Sequence, residues 1–229
     1  MALHVGIVGC SYEGAALCYR TICAEGEKLA GAYAHPEISM HTPPFVRYVS
    51  LLDGGDWRGV GELMLASAGM LARMGADFVV CPDNTIHQAL PHIENLSPVP
   101  WLHIAEVVAS EAKARGFRRI GILGTRWLVE SEVYPEKLAA QGIAYVRPTS
   151  KEREGIHRII MEQLVHGEKK PEAIRYHQRV IARLKEEGCD AVVLGCTEIP
   201  LLMNDDNSPL PTLDSTRLLA RAATRRAAG

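Results

Sequence analysis

Two acid–base side chains, Asp83 and Cys196, stand at equivalent places in two similar stretches of this 229-residue chain. Asp77-Phe78-Val79-Val80 leads through Cys81-Pro82 to Asp83-Asn84-Thr85, and Asp190-Ala191-Val192-Val193 leads through Leu194-Gly195 to Cys196-Thr197-Glu198. A second echo agrees with the first: Val5-Gly6-Ile7-Val8-Gly9 returns 115 residues later as Ile120-Gly121-Ile122-Leu123-Gly124. Two similar lobes with one such group each are what two-sided proton transfer at a carbon needs. One group takes the proton from one face and the other delivers a proton to the opposite face. A carboxylate and a thiol are unequal partners, with reference pKa values of ~3.9 and ~8.5. Unequal kinetics in the two directions are therefore expected, while the equilibrium between free enantiomers stays at unity.

The elements that must position these groups are legible as an alternation of short apolar runs with longer helical periods, the mark of a parallel α/β fold. Strands are expected at 4–9, 37–41, 78–81, 101–103, 120–124, 144–147, 191–194 and 210–213. Helices are expected near 14–29, 57–74, 85–95, 105–115, 130–141, 151–166, 171–187 and 214–227. Gly75, Gly116, Gly142 and Gly188 fall where those helices should end. Residues 50–56 and 204–211 read as loops, rich in Gly, Asp, Asn and Pro. The expected architecture is two pseudo-symmetric α/β lobes, each a parallel sheet flanked by helices, with the active site in the cleft between them. The first lobe is expected at 1–99 plus 208–229, the last helix crossing back onto it, and the second at 100–207.

In open parallel sheets, ligands gather beyond the carboxyl ends of the strands, which puts Asp83 and Cys196 on that rim. A helix start after each would offer N–H groups to an anion and lower the pKa of a thiol. Asn84, Thr85 and Thr197 add donors. Ser11, in the glycine-bounded turn after the first strand, and Thr125, its counterpart, could line anion-binding turns. Arg47 follows a Pro-Pro pair and could reach a side-chain carboxylate. Each of these has a plainer reading: Asp or Thr after a strand caps a helix, a single cysteine fills a core, and an arginine sits on the surface. His87 and His103 read as hydrogen-bonded structural histidines, and Lys151-Glu152-Arg153-Glu154 as a solvated helix start.

Bulk composition removes other classes. A net charge of −2 gives no electrostatic case for nucleic acid or an anionic membrane. The six cysteines contain no C-x-x-C pair and no zinc-type spacing, so no metal is expected. No apolar segment approaches the roughly 20 residues that cross a bilayer. With no signal-type run at the start, a cytoplasmic protein with reduced thiols is expected.

Gly195-Cys196-Thr197-Glu198-Ile199, together with Asn84-Thr85-Ile86-His87, resembles the cofactor-independent aspartate/glutamate racemase family. Ser11-Tyr12-Glu13, Tyr19-Arg20, Leu123-Gly124-Thr125-Arg126, Tyr134, Glu152-Arg153-Glu154, His157-Arg158-Ile159-Ile160 and Asp214-Ser215-Thr216 carry the resemblance along nearly the whole chain. The resemblance implies no PLP or metal, a homodimer, an acidic amino acid as small-molecule substrate, and two facing acid/base residues that are commonly both cysteines. It also places Glu198 among the substrate-binding residues. The chain departs from the family at the first of them: Asn84-Thr85-Ile86-His87 sets the register and puts Asp83 where the cysteine belongs, with Cys81 two residues too early. Leu128 is a second departure, at a position where relatives similar to aspartate racemase often carry a hydroxyl. Related decarboxylases and cis–trans isomerases of dicarboxylates need only the second cysteine. A catalytically inactive binding homologue is a further alternative.

Overall fold

The computed structural model describes residues 2–229. It contains two parallel four-stranded sheets of the same strand order. The chain divides into one unit of residues 1–104 with 216–229 and a second of residues 105–215.

In the first unit, β1 (Val5–Val8) runs between β2 (Ile38–His41) and β3 (Phe78–Val80), and β3 pairs in turn with β4 (Trp101–Leu102). Every residue of β1 and β3 is buried, as expected of strands covered on both faces. The covering helices are α1 (Tyr12–Ala30), α2 (Phe45–Asp53) and α3 (Trp57–Arg73). α3 turns Val60, Met64, Ala68 and Leu71 inward at helical spacing.

The second unit repeats the plan. β5 (Arg119–Leu123) lies between β6 (Ala144–Val146) and β7 (Ala191–Leu194), and β7 pairs with β8 (Thr212–Asp214). Its helices are α4 (Ile104–Ala114), α5 (Arg126–Val129), α6 (Val133–Ala140), α7 (Ser150–Glu162) and α8 (Pro171–Glu186). Asp77 and Asp190, the aspartates of the sequence echo, do the same job in both units. Asp77 accepts from the His4 amide at 2.7 Å, and Asp190 from the Arg118 and Arg119 amides at 2.7 and 3.2 Å. Each carboxylate thereby anchors the central strand of its sheet to the strand beside it.

All eight expected strands are present, and the four helix-ending glycines have φ between 71° and 95°. Four differences stand out. Residues 45–53 form α2, so the front half of the expected 50–56 loop is helix. The segment after Asp83 is a 3-10 helix, Thr85–His92, with Pro91 inside it. β4 pairs with β3, which keeps residues 100–104 in the first unit. β8 pairs with β7, so the chain leaves the second unit only after Ser215, not at 208. The final helix, α9 (Ser215–Ala228), packs on the first unit: the Leu3 amide donates to the Ala227 carbonyl at 2.8 Å, and Arg221 pairs with Glu25 at 3.3 Å. The run at 151–154 is a helix start, with Thr149 and Glu152 forming a reciprocal capping box.

Candidate functional site

At the carboxyl end of β3 the chain passes Cys81 and Pro82 to Asp83. One Asp83 carboxylate oxygen accepts the Ile86 amide at 3.1 Å, closing the turn into the 3-10 helix. His87 locks the same turn from beneath. Its Nδ1 lies 2.6 Å from the Asp83 carbonyl, which can only accept, and its Nε2 receives the Ile104 amide at 3.3 Å. Those two partners require the neutral tautomer with the proton on Nδ1. His87 is therefore the structural histidine of this rim, tying the Asp83 turn to the first residue of α4, and His103 packs edge-on against it at 4.8 Å. Asn84 and Thr85 are buried beside Asp83. Cys81 is fully buried. Burial pushes its thiol well above the usual range, the negative Asp83 adds to the rise, and a hydrogen bond with the Asp83 backbone opposes it.

Ser11 follows β1 and caps α1, accepting the Gly14 amide at 3.2 Å. Arg47 lies exposed on α2. The neighbouring residue, Tyr48, is fully buried, and burial pushes its phenol strongly upward. The groups acting on it electrostatically are Cys81, Cys10, Asp83 and Arg47. Tyr48 is a residue that sequence reasoning missed. Its only advance signal is helical spacing from Phe45 and Leu52, which places it on the inner face of a helix whose last four residues were read as loop.

In the second unit the turn after β7 is built by close approach of backbone. The Gly195 amide donates to the Leu123 carbonyl at 2.8 Å. A Cβ at Gly195 would meet that carbonyl oxygen at 2.6 Å and Leu128 Cδ2 at 2.7 Å, so only glycine fits. Leu128 itself is buried here, filling the floor under the turn. Thr125 caps α5, accepting the Leu128 amide at 3.3 Å. Cys196, 8 % exposed, donates its thiol hydrogen to Glu198 Oε2 at 2.9 Å, and the Thr197 hydroxyl donates to the same oxygen at 2.9 Å.

One expectation changes here. The element after Cys196 is a 3-10 turn of three residues, Ile199–Leu201, too short to act on the thiol as a helix N-terminus. The thiol's polar partner is instead the Glu198 carboxylate. Glu198 is 3 % exposed, and its Oε2 accepts from both the Cys196 thiol and the Thr197 hydroxyl. Glu198 thus lies beside the thiol. Behind the rim, Ser215 donates to the Leu194 carbonyl at 2.8 Å and is hydrogen-bonded to the buried Tyr134. Among the described residues, no three His, Cys, Asp or Glu side chains gather as a metal-binding group.

Two parallel sheets of the same order, with Asp83 and Cys196 in the equivalent turns after β3 and β7, define a racemase-type α/β fold. The chain belongs to the Asp/Glu/Hydantoin racemase family, whose model matches residues 7–223, and it is an isomerase of that kind. It is similar over 99 % of its length to all of a candidate Asp/Glu racemase of known structure from Yersinia pestis, at 32 % identity and a TM-score of 0.90. An aspartate racemase homologue from Pyrococcus horikoshii OT3 matches over the whole of both chains, at 26 % identity and a TM-score of 0.85. A broad-specificity amino-acid racemase of Bacillus subtilis is 25 % identical over 164 residues, which is 70 % of this chain and 69 % of that one.

Proposed function

We propose that the protein racemises an acidic amino acid, aspartate or glutamate, without PLP or metal, using Asp83 and Cys196 as the two acid/base groups on opposite faces of the α-carbon. The observation that carries the reading is the Cys196–Glu198 hydrogen bond at 2.9 Å, set at the same rim position in its sheet that Asp83 holds in the other. A thiol donating to a buried carboxylate has a built-in acceptor for its proton.

The contact suits a state in which sulfur carries the proton and Glu198 accepts it. Cys196 is then ready as the acid and the Asp83 carboxylate as the base, so one direction of reaction begins with both groups in the required state. The other direction needs the thiolate and a protonated Asp83. Glu198 helps by accepting the thiol proton and returning it. Asn84 and Thr85 in one unit, and Thr197, Thr125 and Ser11 through their turns, supply donors for the α-carboxylate and the charge that develops at it. Arg47 is the cation for the side-chain carboxylate of the substrate. The relatives named for aspartate and for Asp/Glu racemisation support the acidic substrate, and the broad-specificity relative makes a wider panel worth testing. The reading includes a cytoplasmic homodimer, checked by sedimentation.

The test is proton NMR of the purified protein in D2O with L- and D-amino acids, led by aspartate and glutamate. Loss of an α-proton signal that disappears in Cys196→Ala and in Asp83→Ala identifies the substrate and supports both roles. Exchange that survives Asp83→Ala but is lost in Cys81→Ala would overturn the assignment of Asp83. No exchange with any amino acid would overturn the racemase reading in favour of decarboxylation, cis–trans isomerisation or simple binding.

A further inference from the structure

Between α7 and α8 of the second unit lies a hollow of about 350 Å³, with Lys151, Glu152, Tyr176, Arg179, Val180 and Arg183 among its lining. Neither Cys196 nor any residue proposed as a substrate ligand lines it. α8 carries Arg175, Arg179 and Arg183 in a row at i, i+4 and i+8, where like charges repel one another. The outer two are neutralised: Arg175 pairs with Glu172 at 2.7 Å, and Arg183 with Glu152 at 2.5 Å and also with Glu187. The middle one is not. Among the described residues, neither Arg179 nor Lys151, on the α7 side of the hollow, pairs with a carboxylate. The Glu152 oxygens are already held by Arg183 and by the Thr149 cap. Two uncompensated cations therefore line one cavity in a chain whose net charge is −2.

The wall beside them is built, not incidental. A Cβ at Gly155, inside α7, would meet the Tyr176 hydroxyl oxygen at 2.0 Å and Cζ at 2.4 Å. Glycine in a helix interior is destabilising against alanine, so α7 sacrifices helix propensity to seat this ring. The Tyr176 hydroxyl donates to the Lys151 carbonyl at 3.4 Å, and the Arg179 guanidinium lies 5.5 Å from the ring centroid. The stacked ring holds Arg179 at the hollow in place of a solvated, mobile arrangement.

We propose that this hollow binds the phosphate group of a small soluble phosphate ester. A phosphate monoester carries about −1.5 to −2 charges at pH 7, which matches the two free cations. Its tetrahedral oxygens can meet donors arriving from two helices at once, whereas a planar carboxylate favours donors in a single plane. Arg179 supplies a fork of N–H donors and Lys151 a point charge. Val180 and the Tyr176 ring give the carbon part of the ester an apolar wall. A concave site between two helices receives a free molecule, not a headgroup fixed in a flat bilayer. The occupant would join α7 to α8 through charge-assisted bonds that the ligand-free protein lacks.

The experiment is isothermal titration calorimetry of the full chain with inorganic phosphate, at an ionic strength held constant with chloride. One saturable site is expected, and phosphate should raise the thermal midpoint as a ligand of the folded state does. Arg179→Gln and Lys151→Gln should each weaken binding about tenfold, the worth of one hydrogen bond to a charged group. Arg175→Gln, which alters a paired arginine outside the hollow, should leave the affinity unchanged. Gly155→Ala should weaken binding by displacing the Tyr176 ring. If that variant does not fold, the two glutamine variants carry the test, because their side chains lie at the surface. Glycerol phosphate should bind at least as tightly as inorganic phosphate, and its exclusion would overturn the ester reading. Absence of saturation beyond chloride, or binding that survives both glutamine variants, would overturn the site. An equal loss in Arg175→Gln would reduce it to general charge attraction and overturn it too. None of these outcomes depends on the roles of Asp83 and Cys196.

Discussion

The most telling residue pair is Cys196 and Glu198, two positions apart and joined through the thiol hydrogen. Glu198 is isosteric with glutamine, which accepts a hydrogen bond but cannot accept the proton. Glu198→Gln should therefore lower kcat by roughly 10²-fold, a typical contribution of a general base, with KM changed far less. Steady-state kinetics on the substrate found by NMR check this. Equal losses in kcat and rises in KM would place Glu198 among the substrate contacts. Cys196 itself was visible in the sequence through Gly195-Cys196-Thr197, but its bond to Glu198 was not. Residues two apart face each other only when the chain turns sharply, and nothing in the residue types foretells the turn at 197–198, closed by the Ile199 amide donating to the Cys196 carbonyl at 3.1 Å.

At the level of elements, the strands were legible because buried parallel strands read as continuous apolar runs bounded by Gly, Pro and Asp. α2 was not. Pro43-Pro44 before it and Gly54-Gly55 after it are loop signals, and a nine-residue helix is too short for its period to outweigh them. The register that set Asp83 against Cys196 was legible through the paired aspartates Asp77 and Asp190, whose carboxylates hold equivalent strand starts. The turn after β7 makes its own demand. Gly195→Ala would force a Cβ to 2.6 Å from the Leu123 carbonyl, so it should destabilise the second unit by about 1–3 kcal/mol, read from urea unfolding. Gly54→Ala, whose Cβ would meet its nearest atom at 3.4 Å, should change stability much less.

α8 adds a pH effect. His177 is fully buried, Nδ1 hydrogen-bonded to the Ala173 carbonyl at 2.8 Å and Nε2 unpartnered. Burial holds its pKa below the usual histidine value of 6.5, and the bond to Ala173 only partly offsets this. Below that value the unfolded chain binds a proton that the folded one resists. The contribution is thus fully present above about pH 6.5 and is lost as the pH falls toward the lowered folded value. The urea midpoint should drop between about pH 7 and pH 5, and His177→Phe should flatten the drop. An identical slope in that variant would assign the effect to other groups.

For the molecule as a whole, two units of one plan with Asp83 and Cys196 as the proposed acid/base groups give a definite kinetic expectation. An acid–thiol pair is ready for only one direction in its resting state, so kcat for the two enantiomers should differ several-fold. The equilibrium constant is unity, so kcat/KM must nevertheless be the same in both directions, and a polarimetric assay run from each enantiomer checks both statements at once. The helix return of residues 216–229 onto the first unit was legible, since the last helical period follows a strand that ends the second. The point of return was misjudged because the loop at 204–211 resembles a linker. In fact it swings β8 back beside β7.

The central claim is that two groups, one in each unit, act on opposite faces of a carbon. The measurement that tests it most directly is the distribution of label in the first few per cent of reaction in D2O, starting from one pure enantiomer. A two-base transfer by Asp83 and Cys196 predicts that the product enantiomer carries deuterium at the α-carbon while unreacted substrate keeps its proton. The label should vanish from both pools in Asp83→Ala and in Cys196→Ala. Product that retains the substrate's own proton, or substrate and product labelled at equal rates by a protein lacking Asp83, would contradict it.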